Sequence, residues 1–241
     1  MKRAAAVIPV RYQSSRFPGK PLALILGKPM IQRVYEGVRE ARLVDRIIVA
    51  TDDERIRETA RSFGAEAVLT SGAHNSGTER AAEVAYNIDN NIIINVQGDE
   101  PLVTGGLVDS LVEALQDEDV RMASLMTKVY DLDLLADPNI NKVITDQDGF
   151  ALYFSRAPVP HQASDFFFQH IGIYGYRRDF LLEFARMKPS RLECLERLEQ
   201  LRALENGCRI KMVETPDPTL SVDVPGDIIK VEELLRKKGH G

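Results

Sequence analysis

The sequence predicts an α/β protein with a mostly parallel central sheet flanked by helices and with a small β-rich extension. In the first half, short and almost wholly apolar segments alternate with segments of helical period. Strands that are apolar on both faces are typical of parallel sheets covered by helices on both sides. The second half changes to β segments joined by a hairpin signal. Its 241 residues suit a single domain that spans 1–241.

The first half supplies the alternating elements in order. AAAVIPV (4–10) predicts the first strand, and a helix follows with Met30, Val34 and Val38 on one face and Pro29 at its start. RIIVAT (46–51) is the second strand, and DDERIRETARSFG predicts a helix that stops at Gly64. EAVL, the helix in SGTERAAEVAYNI and the strand in NIIINVQGDEP complete the series.

Three polar loops follow these strands, at 11–20, 51–53 and 97–101. Because sheets of this type bind ligands beyond the carboxyl ends of their strands, we expect the three loops to lie along one rim.

The second half predicts the β extension, at about residues 125–180. NKVITDQDGFALYFSR contains two β segments around DQDG, and HIGIYGYR is a further strand. RLECLERLEQLRALENG predicts one leucine-rich helix that ends at Gly207, and the chain closes with a basic helix over 228–238.

Composition excludes several classes of protein. A net charge of −5 argues against a general nucleic-acid binder. No apolar run approaches the roughly 20 residues of a membrane span. Cys194 and Cys208 lack the spacing of a metal site, and the apolar start is too short for a secretion signal. We therefore expect a cytoplasmic protein without membrane insertion.

The loop PVRYQSSRFPGKP concentrates positive charge directly after the first strand. Arg11, Arg16 and Lys20 accompany two serines and no acid, which favours a polyphosphate ligand. The loop is neither a P-loop nor the dinucleotide fingerprint, because both glycine patterns are missing. An ordinary solvated basic loop is the alternative.

Two acids distant in sequence follow apolar segments, Asp99 in NVQGDEP and Asp223 in SVDVPGD. Carboxylates of this kind can hold Mg²⁺ together with phosphate oxygens, although either could serve only a turn. Combined with the basic loop, the pair indicates phosphoryl or nucleotidyl transfer.

Other polar residues each allow a structural and a functional interpretation. Ser76 and Thr78 can cap a helix or meet a ligand. His170 shares one side of a predicted strand with Tyr174 and can be a core residue or a ligand. Glu199 and Gln200 form a solvated helix face or contact a substrate.

Taken together and in this order, these motifs resemble the 3-deoxy-manno-octulosonate cytidylyltransferases. The matching strings include IPVRYQSSRFPGKPL, SGTERAAEV, NVQGDEP, ALYFSR, HIGIYGYR, LEQLRALENG and VDVPGD, and they cover nearly the whole chain. The resemblance implies a nucleotide-diphosphosugar transferase fold, Mg²⁺ dependence and a homodimer built partly by the extension. It implies transfer of CMP from CTP to 3-deoxy-manno-octulosonate (Kdo), with release of pyrophosphate, for lipopolysaccharide synthesis.

The resemblance also assigns roles to residues of this sequence. The implied catalytic residues are Arg16, Lys20, Asp99 and Asp223, and the two acids would ligate the metal. The implied CTP ligands are Arg11, Ser14, Arg16, Lys20, Ser76, Gly77, Thr78, Arg80 and Gln97. The implied sugar ligands are Arg156, His170, Tyr174, Glu199 and Gln200.

The sequence departs from the family pattern in the short stretch after Pro160, which lacks an arginine for the sugar carboxylate, and at Val224 and Gly226. Two alternatives stay open. The first is a cytidylyltransferase for a related acidic sugar, such as 8-amino-Kdo or a sialic-acid relative, or an enzyme that uses another nucleotide. The second is a non-catalytic nucleotide-binding homologue.

Overall fold

A computed structural model describes residues 3–13, 17–216 and 219–237 of the chain. Within these ranges, nine strands form one sheet. They are β1 (Ala4–Val10), β4 (Arg46–Thr51), β5 (Glu66–Leu69), β6 (Ile92–Asn95), β7 (Met122–Val129), β8 (Lys142–Thr145), β9 (Ala151–Ser155), β10 (Phe167–Arg177) and β11 (Ile210–Glu214). The main path through the sheet runs β11-β7-β10-β6-β1-β4-β5. Every strand on this path is parallel to the others except β10, which is antiparallel to both of its neighbours. A separate two-stranded sheet pairs β2 (Leu24–Ile25) with β3 (Lys28–Pro29).

Helices cover both faces of the sheet. They are α1 (Met30–Arg39), α2 (Glu54–Ser62), α3 (Gly77–Tyr86), α4 (Gly105–Ala114), α5 (Arg178–Phe184), α6 (Arg191–Glu196), α7 (Leu201–Glu205) and α8 (Pro225–Lys237). Alternate residues of β1 enter different cores. Ala6 and Ile8 pack in the cluster with α1, α2 and α4, whereas Ala5 and Val7 pack in the cluster with α3, α5 and α7. Burial on both faces explains why this strand is apolar throughout. The predicted fold class is confirmed.

The predicted β extension is woven into the main sheet. The hairpin β8–β9 branches from the path by pairing with the first half of β10. The second half of β10 inserts between β6 and β7, after a bulge between Ile171 and Tyr174. In this part of β10 the backbone of Gly175 packs closely against Leu115. A Cβ added at Gly175 would lie only 2.6 Å from Leu115 Cδ1.

A third apolar cluster ties the C-terminal helix to the rim of the sheet. Val231 and Leu235 of α8 pack with Val222, Ile25 and Met30. In addition, Val222 N donates a hydrogen bond to the carbonyl of Asp99 (2.9 Å). This packing brings the segment that carries Asp223 beside the loop that follows β6.

Two predicted elements differ in the structure. The single leucine-rich helix is divided into α6 and α7, because Arg197 adopts a left-handed conformation (φ 56°). The final helix begins at Pro225, three residues before its predicted start. The three helices and four strands predicted in the first half are confirmed. No helix in the described part of the chain is both long enough and apolar enough to cross a membrane.

Candidate active site

A polar cavity of about 260 Å³ opens at the carboxyl ends of β1 and β6, next to the start of α3. We call it the rim cavity. Eight of its lining residues were predicted from the sequence: Arg11, Lys20, Ser76, Gly77, Arg80, Gln97, Asp99 and Asp223. The sequence prediction missed six others: Pro9, Val10, Pro21, His74, Asn75 and Gly98. As expected, the loops after β1 and β6 share one rim, through Arg11, Lys20, Gln97 and Asp99. The third loop expected there, 51–53, does not line the cavity and contacts it through Asp52, which pairs with Arg80.

Lys20 connects the first and last segments of the cavity. Its Nζ donates to Asp99 Oδ2 (2.6 Å) and to the carbonyl of Val222 (2.8 Å). Gly19 directly precedes Lys20 in the chain, and its φ of 72° is a left-handed conformation that favours glycine. The loop after β1, the loop after β6 and the chain before α8 therefore meet at one ammonium group.

Negative charge accumulates at the same corner. Glu100, next to Asp99, is buried, and its Oε2 has no hydrogen-bond partner among the described residues. Burial, followed by the negative charge of Asp99, raises the pKa of Glu100 to about 8. This shift favours the protonated form of the Glu100 carboxyl, and the neighbouring Asp99 accepts a hydrogen bond from Lys20.

The donor set of this corner fits a magnesium ion. Asp99 and Asp223 present carboxylate oxygens to one cavity, and Mg²⁺ prefers oxygen ligands. In the described part of the chain, no group of three or more His, Cys, Asp or Glu side chains is arranged to hold a metal. Such an ion would therefore take the remaining ligands from phosphate oxygens and water, as Mg²⁺ does in phosphate-binding sites.

The start of α3 forms the opposite wall. Ser76 caps the helix, with its Oγ accepting from Glu79 N (3.2 Å), as predicted. A Cβ added at Gly77 would lie 2.7 Å from Gln97 Oε1, so this glycine lets the helix approach Gln97 closely. Gln97 is oriented in turn, because its Nε2 donates to Asn95 Oδ1 (3.1 Å).

Two residues of this wall are held by acids. The Arg80 side chain is almost fully buried, and its Nη2 donates to Asp52 Oδ2 (3.1 Å). A buried guanidinium requires such a partner. His74 is paired with Glu83 of α3 and was missed as a cavity residue. The sequence signal for His74 is Glu83, one helical turn beyond Glu79, whose Oε2 also accepts from Ser71 N (2.9 Å) in the loop before α3.

Four of the predicted sugar ligands lie together behind the cavity, with Ser124 and Thr78. We call this group the inner cluster: Thr78, Ser124, His170, Tyr174, Glu199 and Gln200. Tyr174 Oη donates to Gln200 Oε1 (3.2 Å), and His170 Nε2 lies 2.8 Å from Ser124 Oγ. Thr78 Oγ1 donates to Glu199 Oε2, which joins α3 to the break between α6 and α7.

The inner cluster is electrically different from the rim cavity. Burial lowers the pKa of His170 to about 3, so this imidazole is neutral at physiological pH. Burial likewise raises the pKa of Tyr174 far above its usual value. Neutral hydroxyl, amide and imidazole groups therefore dominate, and Glu199 supplies the carboxylate.

The remaining predicted residues are placed as follows. Arg156 lines neither group as described. Its Nε donates to the carbonyl of Glu196 (2.7 Å) and its Nη1 to that of Pro138 (2.8 Å). Thr78, which the resemblance assigns to the nucleotide, lies in the inner cluster and directly follows the cavity residue Gly77. Ser14 and Arg16 lie outside the described residues.

Comparison with known proteins gives consistent findings. A family model described as cytidylyltransferase matches residues 5–211. A 3-deoxy-manno-octulosonate cytidylyltransferase of Syntrophotalea carbinolica is 52% identical over 244 residues, covering 96% of this chain and 98% of the relative. A protein of the same name from Geotalea uraniireducens is 49% identical, covering 98% of this chain and all (100%) of the relative.

A solved structure is also similar along the whole chain. It is a CMP:2-keto-3-deoxy-manno-octonic acid synthetase complexed with CTP, with a TM-score of 0.93 and 39% sequence identity. The alignment covers 98% of this chain and 99% of that chain.

Proposed function

The chain belongs to the family of 3-deoxy-manno-octulosonate cytidylyltransferases, and from this premise we propose that it transfers CMP from CTP to the anomeric hydroxyl of Kdo. The products are CMP-Kdo and pyrophosphate. The observation that carries the proposal is the convergence of Lys20, Asp99 and Asp223 on one cavity, from three distant segments. A triphosphate needs this combination of a cation and metal-binding carboxylates.

The nucleotide occupies the rim cavity in this proposal. Arg11 and Lys20, with Ser14 and Arg16 from the same loop, bind the phosphates. Ser76, Gly77, Arg80 and Gln97 contact the nucleoside end. Gln97 and Arg80 suit this role because Asn95 and Asp52 hold them in fixed orientations, which reduces the entropy lost on binding. Thr78 supports this wall from behind, through its hydrogen bond to Glu199.

The sugar acid binds at the inner cluster, beside the rim cavity. His170, Tyr174, Glu199 and Gln200 offer neutral donors and acceptors and one carboxylate, which suits the many hydroxyls of a sugar. We assign Arg156 to the sugar carboxylate on the family resemblance alone, because its guanidinium lies outside the inner cluster and donates to the carbonyls of Glu196 and Pro138. Its guanidinium is anchored on Glu196, at the end of the helix that leads to Glu199 and Gln200.

The reaction is a single in-line displacement at the α-phosphorus of CTP. The sugar hydroxyl oxygen forms the new bond to phosphorus, the bond to the β-phosphate bridging oxygen breaks, and the hydroxyl proton is lost to water. Lys20, with Arg16, stabilises the charge of the leaving pyrophosphate. Asp99 and Asp223 would hold Mg²⁺, which supplies charge neutralisation and a lowered hydroxyl pKa when it is bound.

We extend the proposal to assembly and location. Exposed apolar side chains in the region of 125–180 include Tyr130 and Leu152, which are 71% and 59% exposed. A homodimer that uses this region would bury them. Dilution in analytical ultracentrifugation tests this, and a monomer at all concentrations contradicts it. A cytoplasmic site, in lipopolysaccharide synthesis, accords with the two free cysteines and with CTP as the substrate.

The decisive experiment incubates the purified protein and Mg²⁺ with each of four nucleoside triphosphates and each of three sugar acids: Kdo, 8-amino-Kdo and a sialic acid. We expect pyrophosphate release, and a matching CMP-sugar by mass spectrometry, with CTP and Kdo. Preference for another sugar acid selects the first alternative. CTP binding in calorimetry without pyrophosphate release selects a non-catalytic homologue.

A further inference from the structure

One aromatic and one cationic side chain stack on each other next to the rim cavity without lining it. They are Tyr12, which follows β1, and Arg55, in the first turn of α2. Both lie at the base of the segment from Arg11 to Lys20. The described flanks of that segment are joined by a hydrogen bond from Gly19 N to the carbonyl of Tyr12 (2.9 Å).

The Tyr12 ring is in contact with α2 and with the glycine before Lys20. The Arg55 guanidinium carbon lies 3.4 Å from the centroid of the ring, which is a close cation–π stack. A Cβ added at Gly19 would lie 3.3 Å from the ring atoms Cε2 and Cζ of Tyr12 and from its hydroxyl Oη, so the tyrosine also packs against Gly19. A displacement of the Tyr12 ring therefore changes the packing around the backbone of Gly19.

Arg55 is itself held in place. Its Nε donates to Asp53 Oδ1 (2.9 Å) and its Nη2 to Asp53 Oδ2 (2.6 Å). The same carboxylate caps α2 by accepting from Arg55 N (3.0 Å). This bidentate pair fixes the plane of the guanidinium, which a lysine at this position could not do.

The next residue after Gly19 is Lys20, which donates to Asp99 and to the carbonyl of Val222. An unbroken series of contacts thus runs from Asp53 through Arg55, Tyr12 and Gly19 to Lys20. We propose that Arg55 and Tyr12 are positioning residues that set the orientation of Lys20 toward the phosphates of the nucleotide. This inference rests on the proposed function, since it assigns a nucleotide to the rim cavity.

A purely structural role for the stack makes a different prediction. The Arg55 side chain is 58% exposed, so its loss should have little effect on the free energy of unfolding. If the stack only supported the fold, both substrates would be affected alike. If it positions Lys20, the effect should be confined to the nucleotide.

The test compares Arg55→Ala with Arg57→Ala by calorimetric titration of CTP and by steady-state kinetics. Arg57 lies on the same helix and forms a matching ion pair with Glu54, but in the described part of the chain it stacks on no ring. We expect Arg55→Ala to weaken CTP binding about three- to fivefold and to raise the KM for CTP equally. The KM for the sugar acid and the Tm should not change, and Arg57→Ala should behave as the unmodified protein.

Tyr12 supplies the second half of the test. Tyr12→Ala should match Arg55→Ala, Tyr12→Phe should keep most of the CTP affinity, and the double alanine variant should be no worse than either single one. Additive losses, or equal CTP affinity in Arg55→Ala and Arg57→Ala, would overturn the proposal. If the unmodified protein binds CTP yet releases no pyrophosphate with Kdo, the proposed function fails, and the calorimetric comparison still decides the role of the stack.

Discussion

The rim cavity and the inner cluster lie side by side but are built differently. The rim cavity is open, and charged groups from loops at the carboxyl ends of β1 and β6 line it. The inner cluster is largely buried and combines β7 and β10 with the break between α6 and α7. The difference indicates a division of labour, with charge handled at the rim and hydroxyl recognition behind it.

In both regions burial favours the neutral form of a titratable side chain, although the side chains differ. It raises the pKa of Glu100 to about 8 and lowers the pKa of His170 to about 3, and each shift favours the neutral form. At the rim, Lys20 and Asp99 form a salt bridge (2.6 Å) beside Glu100. Electrostatic stabilisation of phosphate chemistry is therefore concentrated in the rim cavity.

The largest expected effect comes from removing the charge at the rim. Asp99→Asn should lower kcat about a thousandfold, because it removes the carboxylate that we propose for Mg²⁺ and the partner of Lys20. Pyrophosphate release at saturating Mg²⁺ measures this. Asp89→Asn, at an exposed position outside the cavity, is the matched control. Near-normal turnover of Asp99→Asn would refute the role assigned to the rim.

The inner cluster should respond with a change in sugar affinity. Glu199→Gln should raise the KM for Kdo about tenfold and leave the KM for CTP unchanged, because it weakens one charged hydrogen bond to the sugar. Glu193→Gln is the control, since Glu193 and Glu199 both pair with Arg202. Steady-state kinetics on the two variants tests whether the sugar and the nucleotide bind in different regions. An equal change in the KM for Kdo and the KM for CTP in Glu199→Gln would contradict separate sites.

The neutrality of the inner cluster predicts a dependence of stability on pH. The folded-state pKa of His170 lies below its unfolded value of 6.5, so the unfolded chain binds the extra proton as the pH falls. Between pH 6.5 and pH 5 this group should reduce the free energy of unfolding by about 2 kcal/mol.

Denaturant titrations of the unmodified protein and of His170→Gln should show this loss as the difference between the two pH profiles. Taking the difference removes the contribution of Glu100, whose raised pKa acts in the opposite direction. Parallel profiles would mean that His170 is not held neutral by burial.

The smallest expected effect concerns the wall between the regions. Gly77→Ala should raise the KM for CTP by three- to tenfold with little change in stability, because its Cβ displaces the flexible end of Gln97. Gly72→Ala is the control, since a Cβ there meets no atom within 4 Å of the described residues. An unchanged KM would remove Gln97 from the nucleotide site.

The sequence predicts the rim more completely than the inner cluster. Gln97 and Asp99 follow the apolar strand β6 within four residues, and Lys20 closes the loop that follows β1. The carboxyl ends of these parallel strands meet by the geometry of the fold. Asp223 needed more, because its position depends on the packing of α8 against Val222 and Ile25. Period and spacing do not contain that contact; the sequence offered only an acid after a short apolar segment, and the motif resemblance strengthened its pairing with Asp99.

The inner cluster depends on two irregularities that periodicity does not reveal. The left-handed residue Arg197 turns Glu199 and Gln200 away from the path of one continuous helix. The bulge in β10 sets the spacing of His170 and Tyr174 against β7. Periodicity likewise does not reveal the contact of Thr78 with Glu199, which joins residues 121 positions apart.

Calorimetric titration of CTP into Lys20→Ala and Glu199→Gln tests the division between the two regions most directly. Lys20→Ala should lose at least tenfold in CTP affinity, since it removes the ammonium group at which the three segments of the rim cavity meet. Glu199→Gln should bind CTP as the unmodified protein does, because the glutamine carbonyl can still accept the hydrogen bond from Thr78 Oγ1. Equal loss in both variants, or full affinity in Lys20→Ala, would contradict a nucleotide site in the rim cavity that is separate from the inner cluster.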